Sequence, residues 1–530
     1  MVPDVAPAAR GKPERVSLGW EFAKALAELL AGKEMQVEAS TEVKTAPYPG
    51  FRTLWIWLGL GWVASGVDRT ITGPVMTYMI DNKVPLLQGV ANPFAVSGLV
   101  GSLLFAGYML MQFPGGYVGD KLGHRTVIVI SIVWAGVATI LSGLMTALIG
   151  LVALRVITGL GAGLFYSNDR SVITEQTPFE KRSLGMGFVI TGLAIGITLA
   201  FLLAPPLIGF GTSVFGAEGA WRMPFIALGV AAVVIGIGMH VFFRGQGGEH
   251  EFRPAYGAAL ARLGTYAAIF LVAVVGIYFV ATRAGLPEWG VALLELGVAL
   301  LLVGFIFARL GGEISPVLYN RDLLLIYIAA IAILWNLWFF GFWSVSIIGD
   351  AAQSSFLQAA LTAAFNAGAG ILGFPAGGWL ADYAKRKGWG RKPMLVSFTL
   401  IQGLLTLGFG FYIMNGGQSV LVLGALLFTA SLFFNALQPM SQALTADLVP
   451  SAAYLGAAFG LWNLIGEMGA VLSPAISGTL RDATGNWTAA VMLDAGIILV
   501  SFVLLLFVRE PREEVEAPAR AQTPLEGEPG

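Results

Sequence analysis

The 530-residue sequence contains no cysteine. Disulfides, thiolate metal sites and cysteine nucleophiles are therefore excluded. Three histidines, His124, His240 and His250, leave little from which to build a metal centre or a histidine-based triad. Charged residues make up 12% of the chain, where a soluble globular protein carries roughly 25%. The net charge is −1, and no basic tract is long enough to suggest nucleic acid as a partner. No nucleophile, metal or phosphate-loop motif rises above background. The chain reads as a non-enzyme with no cofactor, and any work it does must draw on a gradient rather than on ATP.

What is present is apolar sequence: 56% of residues are hydrophobic and the mean hydropathy is +0.76. Apolar segments lie at about 53–79, 93–118, 125–147, 149–173, 184–208 and 223–243, then at 263–282 and 289–308. Six more follow at 322–348, 355–381, 393–413, 418–445, 453–477 and 487–508. Runs of about 20 apolar residues span a bilayer as helices, because lipid offers the backbone no hydrogen-bond partner. The fold class is all-α and polytopic, with 14 expected spans. Residues 1–52 form a polar extension without the apolar core of a signal peptide. Within it, "WEFAKALAELLAG" (20–32) has the spacing of a short amphipathic helix. Residues 509–530 are Pro- and Glu-rich and read as a disordered tail.

Basic residues orient the chain. With the N-terminus inside, outer loops hold only Lys83, Arg222, Arg283 and Arg481, while Lys385, Arg386, Lys387, Arg391 and Lys392 fall inside. That bias predicts both termini in the cytoplasm of a multi-pass cytoplasmic-membrane protein. A repeated phrase divides it. "FPGGYVGDKLGHR" (113–125) returns as "FPAGGWLADYAKRKGWGRK" (374–392), each after the second helix of a six-helix set. The expected organisation is a first bundle at 53–243, a linker with two extra helices at 244–321 and a second bundle at 322–508. Two related halves with a site between them describe a secondary transporter.

The phrase resembles the signature of the major facilitator superfamily, G-x-x-x-D-[RK]-x-G-[RK]-[RK]. Gly116, Asp120, Lys121, Gly123 and Arg125 match it, with His124 in one basic slot. In the second copy Gly378 and Asp382 are followed, after a five-residue insertion, by Gly390, Arg391 and Lys392. "RVITGLGAG" supplies Arg155, Gly159, Gly161 and Gly163, similar to the fourth-helix pattern R-x-x-x-G-x-G. The resemblance implies that the repeated phrase is a gate that latches the inner face. Its basic residues alone could be a loop that only sets topology, but orientation needs neither the glycines nor a fixed Asp, which favours the latch. Carriers of this fold usually act as monomers.

Charges inside the apolar spans need a reason, since each costs roughly 2.5–3.5 kcal/mol near the bilayer centre on insertion scales. Asp68 and Arg69 sit together in the first span, pointing about 100° apart on a helix. Arg69 is either an anion anchor or half of an ion pair with another helix; Asp68 can take up a proton. "DRTITGPVM", "GYMLMQFPGG", "SNDRSVITEQTPFEKR" and "WNLIGEMGAVLSP" resemble the anion:cation symporter branch. That resemblance implies Arg69 facing the anion, with Tyr108 and Asn463 in the pocket and Asp169 and Arg170 near the inner surface. Where sugar-acid carriers of the branch have a fourth-helix Glu and a fifth-helix Gln, this chain has Gly161 and Leu193. Glu467 is then the acid that could replace the missing coupling group, or else the partner of a buried arginine. Asn336, Asn366, Asn435 and Gln438 could each bind substrate or bridge helices, and Asn336 is counted among the substrate candidates. Glu295 and Asp494 receive no role.

The expected function is proton-coupled symport of a small organic anion by alternating access. Its partners would be the anion, a proton or other cation, and the bilayer. One rival is efflux of drugs by proton antiport, against which the central Arg69 argues. Another is a receptor or scaffold on the same fold that moves nothing, against which the paired gate phrases argue.

Overall fold

The computed structural model describes residues 48–178, 181–247, 250–451 and 454–510. The amphipathic stretch at 20–32 and the tail from 511 lie outside them. Among the described residues there are sixteen α-helices and no strand. In chain order they are α1 (Phe51–Thr70), α2 (Thr72–Asp81), α3 (Pro93–Leu122), α4 (His124–Ser142), α5 (Leu148–Ala162) and α6 (Phe165–Gln176). Then come α7 (Arg182–Phe215), α8 (Arg222–Arg244), α9 (Tyr256–Arg283), α10 (Glu288–Leu318) and α11 (Arg321–Ala352). The last five are α12 (Phe356–Arg386), α13 (Lys392–Met414), α14 (Val420–Leu448), α15 (Leu455–Thr484) and α16 (Thr488–Leu506).

Two crossings are broken helices, so sixteen helices make fourteen crossings. α1 and α2 form the first, interrupted at Ile71. Pro74 explains the break: it has no N–H to give to the Thr70 carbonyl, and its ring crowds that carbonyl. α5 and α6 form the fourth, interrupted at Gly163 and Leu164. Twelve of the fourteen are long and apolar enough to cross a membrane by length and composition alone. The others are the broken first crossing and α10, a helix of 31 residues. The fourteen expected crossings are all present.

The same packing scheme occurs twice. In the first bundle the first crossing packs on the fifth, the third on the sixth and the second on the fourth: α1 on α7, α4 on α8, α3 on α5. In the second bundle the equivalent pairs are α11 on α15, α13 on α16 and α12 on α14. The bundles meet along two antiparallel seams, α3 against α15 and α7 against α12, each joining a second crossing to a fifth. The extra helices α9 and α10 are a hairpin laid on this assembly. α9 packs on α3 and α5, whereas α10 packs on both α3 and α15 and so covers one seam.

Away from the charged phrases, this seam is closed tightly. A side chain at Gly98 would run into the backbone of α15 at Pro474 and Ala475, and one at Gly478 into the Phe94 backbone. Gly73 stands in the same relation to Phe342. Small residues let helices approach where lipid supplies no drive to associate. Pro474 disturbs the backbone of α15, and side chains from other helices complete it: the Ala475 N–H donates to Ser102 Oγ (3.1 Å) and Trp343 Nε1 donates to the Pro474 carbonyl (3.1 Å). At the end of the seam, the Ala95 N–H of α3 donates to Asp482 Oδ2 of α15 at 2.7 Å. Arg481 and Trp487 both donate to Asp350, at 2.7 and 3.1 Å, and the Arg481 guanidinium lies 4.8 Å from the Phe94 ring centroid.

This closure depends on glycine, so Gly98→Leu should open the seam at that end. The cysteine-free chain allows a direct reading. A single cysteine replacing the buried Ser477 should react slowly with maleimide in the parent and roughly tenfold faster with Gly98→Leu, the response to a population shift of about 1.4 kcal/mol.

Candidate functional site

The break at Ile71 leaves Arg69 at the end of α1, buried between the bundles. Its guanidinium carbon lies 4.7 Å from the Tyr108 ring centroid, 4.9 Å from that of Trp338 and 5.6 Å from that of Trp62. Tyr108 and Trp62 belong to the first bundle and Trp338 to the second, so the cation is held between them by aromatic faces. Its Nε donates to the Ser65 carbonyl at 3.3 Å, and its Nη2 has no hydrogen-bond partner. Among the described residues no carboxylate lies within 4.0 Å of Arg69. Glu467 of α15 is near enough to feel its charge, yet its Oε2 is also buried and unpaired. Among the described residues the ion-pair alternatives for Arg69 and Glu467 are therefore absent.

Asp68 faces elsewhere. Its Oδ1 accepts a short bond from Thr139 of α4 and lies 3.7 Å from Arg155 Nη1 of α5. Arg155, fully buried, also donates to Thr139 Oγ1 (2.9 Å) and Ser142 Oγ (2.6 Å). The two adjacent charges of the first span thus serve different neighbours: Asp68 ties α1 to α4 and α5, and Arg69 faces the second bundle.

The fourth-helix glycines build this arrangement. Side chains at Gly159 or Gly163 would strike the backbone of α3 at Leu104 and Tyr108, so both glycines seat Tyr108 beside Arg69. Gly161 faces the other way, where a side chain would meet the Trp134 ring at 2.7 Å. The position that holds Glu in sugar-acid carriers is here pressed against α4, and Ser131 donates to its carbonyl at 2.7 Å. Asp169 is buried on α6, accepting from Trp62 Nε1 at 2.7 Å, with Arg170 Nε 3.6 Å away. Through Trp62 this pair reaches the Arg69 cage.

The four expected substrate residues divide into two groups. Arg69 and Tyr108 touch. Asn463 of α15 donates to Gln112 Oε1 at 2.9 Å, crossing the seam to a position one turn beyond Tyr108. Asn336 lies on another face of α11 from Trp338 and donates to Asp494 Oδ2 at 2.6 Å. With Asn366, Thr406, Ser431, Asn435 and Ala194 it lines a cavity of about 510 Å³, open mouth included, between α7 and the second bundle. The structure adds Trp338 and Gln112 to these residues and bonds Asp494, which has no role in the sequence, to Asn336.

The gate phrases are held by one device used twice. Asp120 is exposed and lies 3.3 Å from His124 Nε2, while His124 Nδ1 bonds Asn168 at 2.8 Å. Lys121 is exposed. Gly116 faces Ser167, and Gly123 takes the positive φ of 94° that ends α3. Arg125 donates to Gln246 Oε1 (2.7 Å) and the His250 carbonyl (2.6 Å), so it holds the chain leaving the first bundle rather than a carboxylate. In the second copy Gly378 is open on its free face, and Gly390 at φ 78° turns the longer loop back. Arg391 therefore still meets Asp382 at 2.8 Å despite the insertion, and also bonds Asp447. Glu510, leaving the second bundle, accepts from the Arg391 and Lys392 N–H groups at 2.6 and 3.0 Å. It caps α13 as a carboxylate caps any helix start.

Two six-helix bundles repeating one packing scheme, with a buried arginine between them, define a membrane transporter of the two-bundle class rather than an enzyme. The chain matches the Major Facilitator Superfamily over residues 58–352 and 326–527, and it belongs to that family. A D-galactonate transporter of Escherichia coli O6:H1 is 25% identical over 407 residues, 75% of this chain and 84% of that protein. A probable sulfoacetate transporter of Cupriavidus necator is 26% identical over 438 residues, 79% of this chain and 86% of that one. Both are named for organic acids, in keeping with the resemblance to the anion:cation symporter branch. In structure the chain is similar to a D-xylose–proton symporter, with a TM-score of 0.62 and 16% identity over 87% of this chain and 98% of the other.

The Asp68–Arg155 pair should behave as a buried salt bridge. Asp68→Leu or Arg155→Leu alone strands a charge and should cost about 3–5 kcal/mol. The double variant should melt above either single variant in detergent, because neither charge is then left alone.

Proposed function

We propose that the protein carries a small organic anion across the cytoplasmic membrane by alternating access, with proton symport as the coupling. One observation supports this most: a permanently charged guanidinium is buried between the bundles with an unpaired Nη2 and no carboxylate in contact. Arginine does not give up its proton, and its planar fork suits a carboxylate or sulfonate. A charge held at this depth without a counter-ion is stabilised when an anionic ligand supplies one. Tyr108 and Trp338, one from each bundle, would sense that ligand together, so binding would couple to the seam. Asn463 and Gln112 would orient it from across the seam, and Glu467, free of an ion pair, would hold a proton near the anion.

The gate phrases would sit on the cytoplasmic side, with both termini, as the distribution of basic residues requires. The interlocked end around Asp350, Arg481 and Asp482 would then be the outer one. That would be the arrangement of a carrier closed outward, with Asp120 of the inner-face latch bonded locally to His124. Efflux of lipophilic cations is disfavoured by the same Arg69.

Thermal stability of the purified protein tests the reading. D-Galactonate, sulfoacetate, inorganic phosphate, D-xylose and a lipophilic cation would be added at two pH values. A true ligand at 100 times its dissociation constant adds about 2.7 kcal/mol. An acid should raise the melting temperature of the parent and not of a folded Arg69→Gln. Stabilisation by the lipophilic cation alone, or equal responses in both proteins, would make Arg69 structural and favour efflux.

A further inference from the structure

We propose that Asp494 is a second proton-binding site of this carrier, and that its proton decides whether Asn336 turns a hydrogen-bond acceptor or a donor toward the interbundle cavity. The proposal rests on the reading of the protein as a proton-coupled anion carrier and adds where one of the protons binds.

The observations lie in the second bundle, away from Arg69. Asp494, on α16, is fully buried, and its Oδ1 has no partner. Its Oδ2 accepts from Asn336 Nδ2 of α11 at 2.6 Å. The same Asn336 side chain lines the cavity. Among the described residues no positive charge compensates the carboxylate. α16 packs on α13, α11 and α15. Its own sequence holds no other titratable residue. Between Lys392 at the start of α13 and Tyr412 in its last turns there is none either. On α11 the charged residues Arg321, Asp322 and Asp350 are at the ends, and Tyr327 is more than two turns from Asn336. On α15 Glu467 faces Arg69, while Arg481 and Asp482 close the opposite end. The group that answers Asp494 is therefore the amide of Asn336.

An ionised carboxyl deep in a bundle and without a cation is costly, and a proton removes that cost. The change is also directional. A carboxylate only accepts, so it holds the NH2 of Asn336 and leaves the amide carbonyl for the cavity. A protonated carboxyl can donate to that carbonyl, and the amide then turns its NH2 outward. One proton is taken from water of the cavity and returned to it, and no covalent bond other than O–H forms or breaks. With the proton on, the cavity wall offers N–H donors, which suit an anion. With the proton off it offers a carbonyl, which repels one. The proton and an anion that enters this cavity would thus favour each other through a single side-chain rotation, which is reciprocal coupling in the thermodynamic sense.

Infrared difference spectra between mildly acidic and mildly alkaline buffer test this without any substrate. The parent should gain a protonated-carboxyl band on acidification that Asp494→Asn lacks. In Asn336→Leu, which removes the donor to the carboxylate, that band should persist into more alkaline buffer. A parent band indifferent to pH, or one that titrates identically in Asn336→Leu, overturns the proposal. If Asp494→Asn fails to fold, the band shift in Asn336→Leu decides alone. As a second arm, D-galactonate and sulfoacetate affinities would be measured at both pH values. The parent should bind roughly tenfold tighter in acid, the effect of about one pH unit of linked protonation, and Asn336→Leu should show a clearly smaller ratio, with only the Glu467 share left. If neither anion binds the parent, the anion-carrier reading fails while the infrared result still judges the proton site.

Discussion

A guanidinium that cannot be neutralised, placed between two bundles and far from either surface, constrains most of what surrounds Arg69. A charge there must be screened by something other than water. The protein uses aromatic faces: Tyr108 and Trp62 on one side, Trp338 on the other. Tyr108 reaches its place only because Gly159 and Gly163 let α5 touch the backbone of α3. Arg69 reaches its own because Pro74 ends α1 just beyond it. The neighbouring acid, Asp68, is meanwhile committed to Arg155 and Thr139. It steadies the first bundle and leaves Arg69 without an intramolecular counter-ion.

The two halves solve a common problem with different atoms. Each has an Asp at the end of its second crossing and a basic residue that returns to it, His124 for Asp120 and Arg391 for Asp382. In each, the chain leaving the bundle is tied back beside that pair, by the Arg125 side chain in one and by backbone N–H groups to Glu510 in the other. A five-residue insertion changes the loop without changing the outcome, because Gly390 supplies the positive φ that brings Arg391 home. What the repeat preserves is a geometry rather than a residue list.

Fourteen crossings, their division by a central hairpin and the family itself were readable from apolar runs and the doubled phrase. These features follow from the solvent, since lipid forces helices and their lengths. Arg69, singled out as a charge in an apolar span, and Tyr108, singled out through a family pattern, meet in the structure. Legibility stopped where a role depends on which neighbour a side chain meets. Asp68 and Arg69 are adjacent in sequence and serve different helices. Trp338 sits in a stretch so rich in aromatics that no spacing separates the one against the cation from those that pack. Asp494 is a single acid in an apolar helix, and only its bond to Asn336, 158 residues away, shows what it can answer to.

The placement of α10 has a mechanical consequence. It rests on α3 and α15 together, so it bridges a seam that the proposed cycle would have to open. In such an opening the bridging helix would not keep both contacts; it would slide over one side or tilt with the other. Either motion would exchange protein contact for lipid contact. The thickness and lateral pressure of the surrounding bilayer would thereby enter the energy of opening, with the hairpin as the part through which the membrane itself pushes on the proposed cycle.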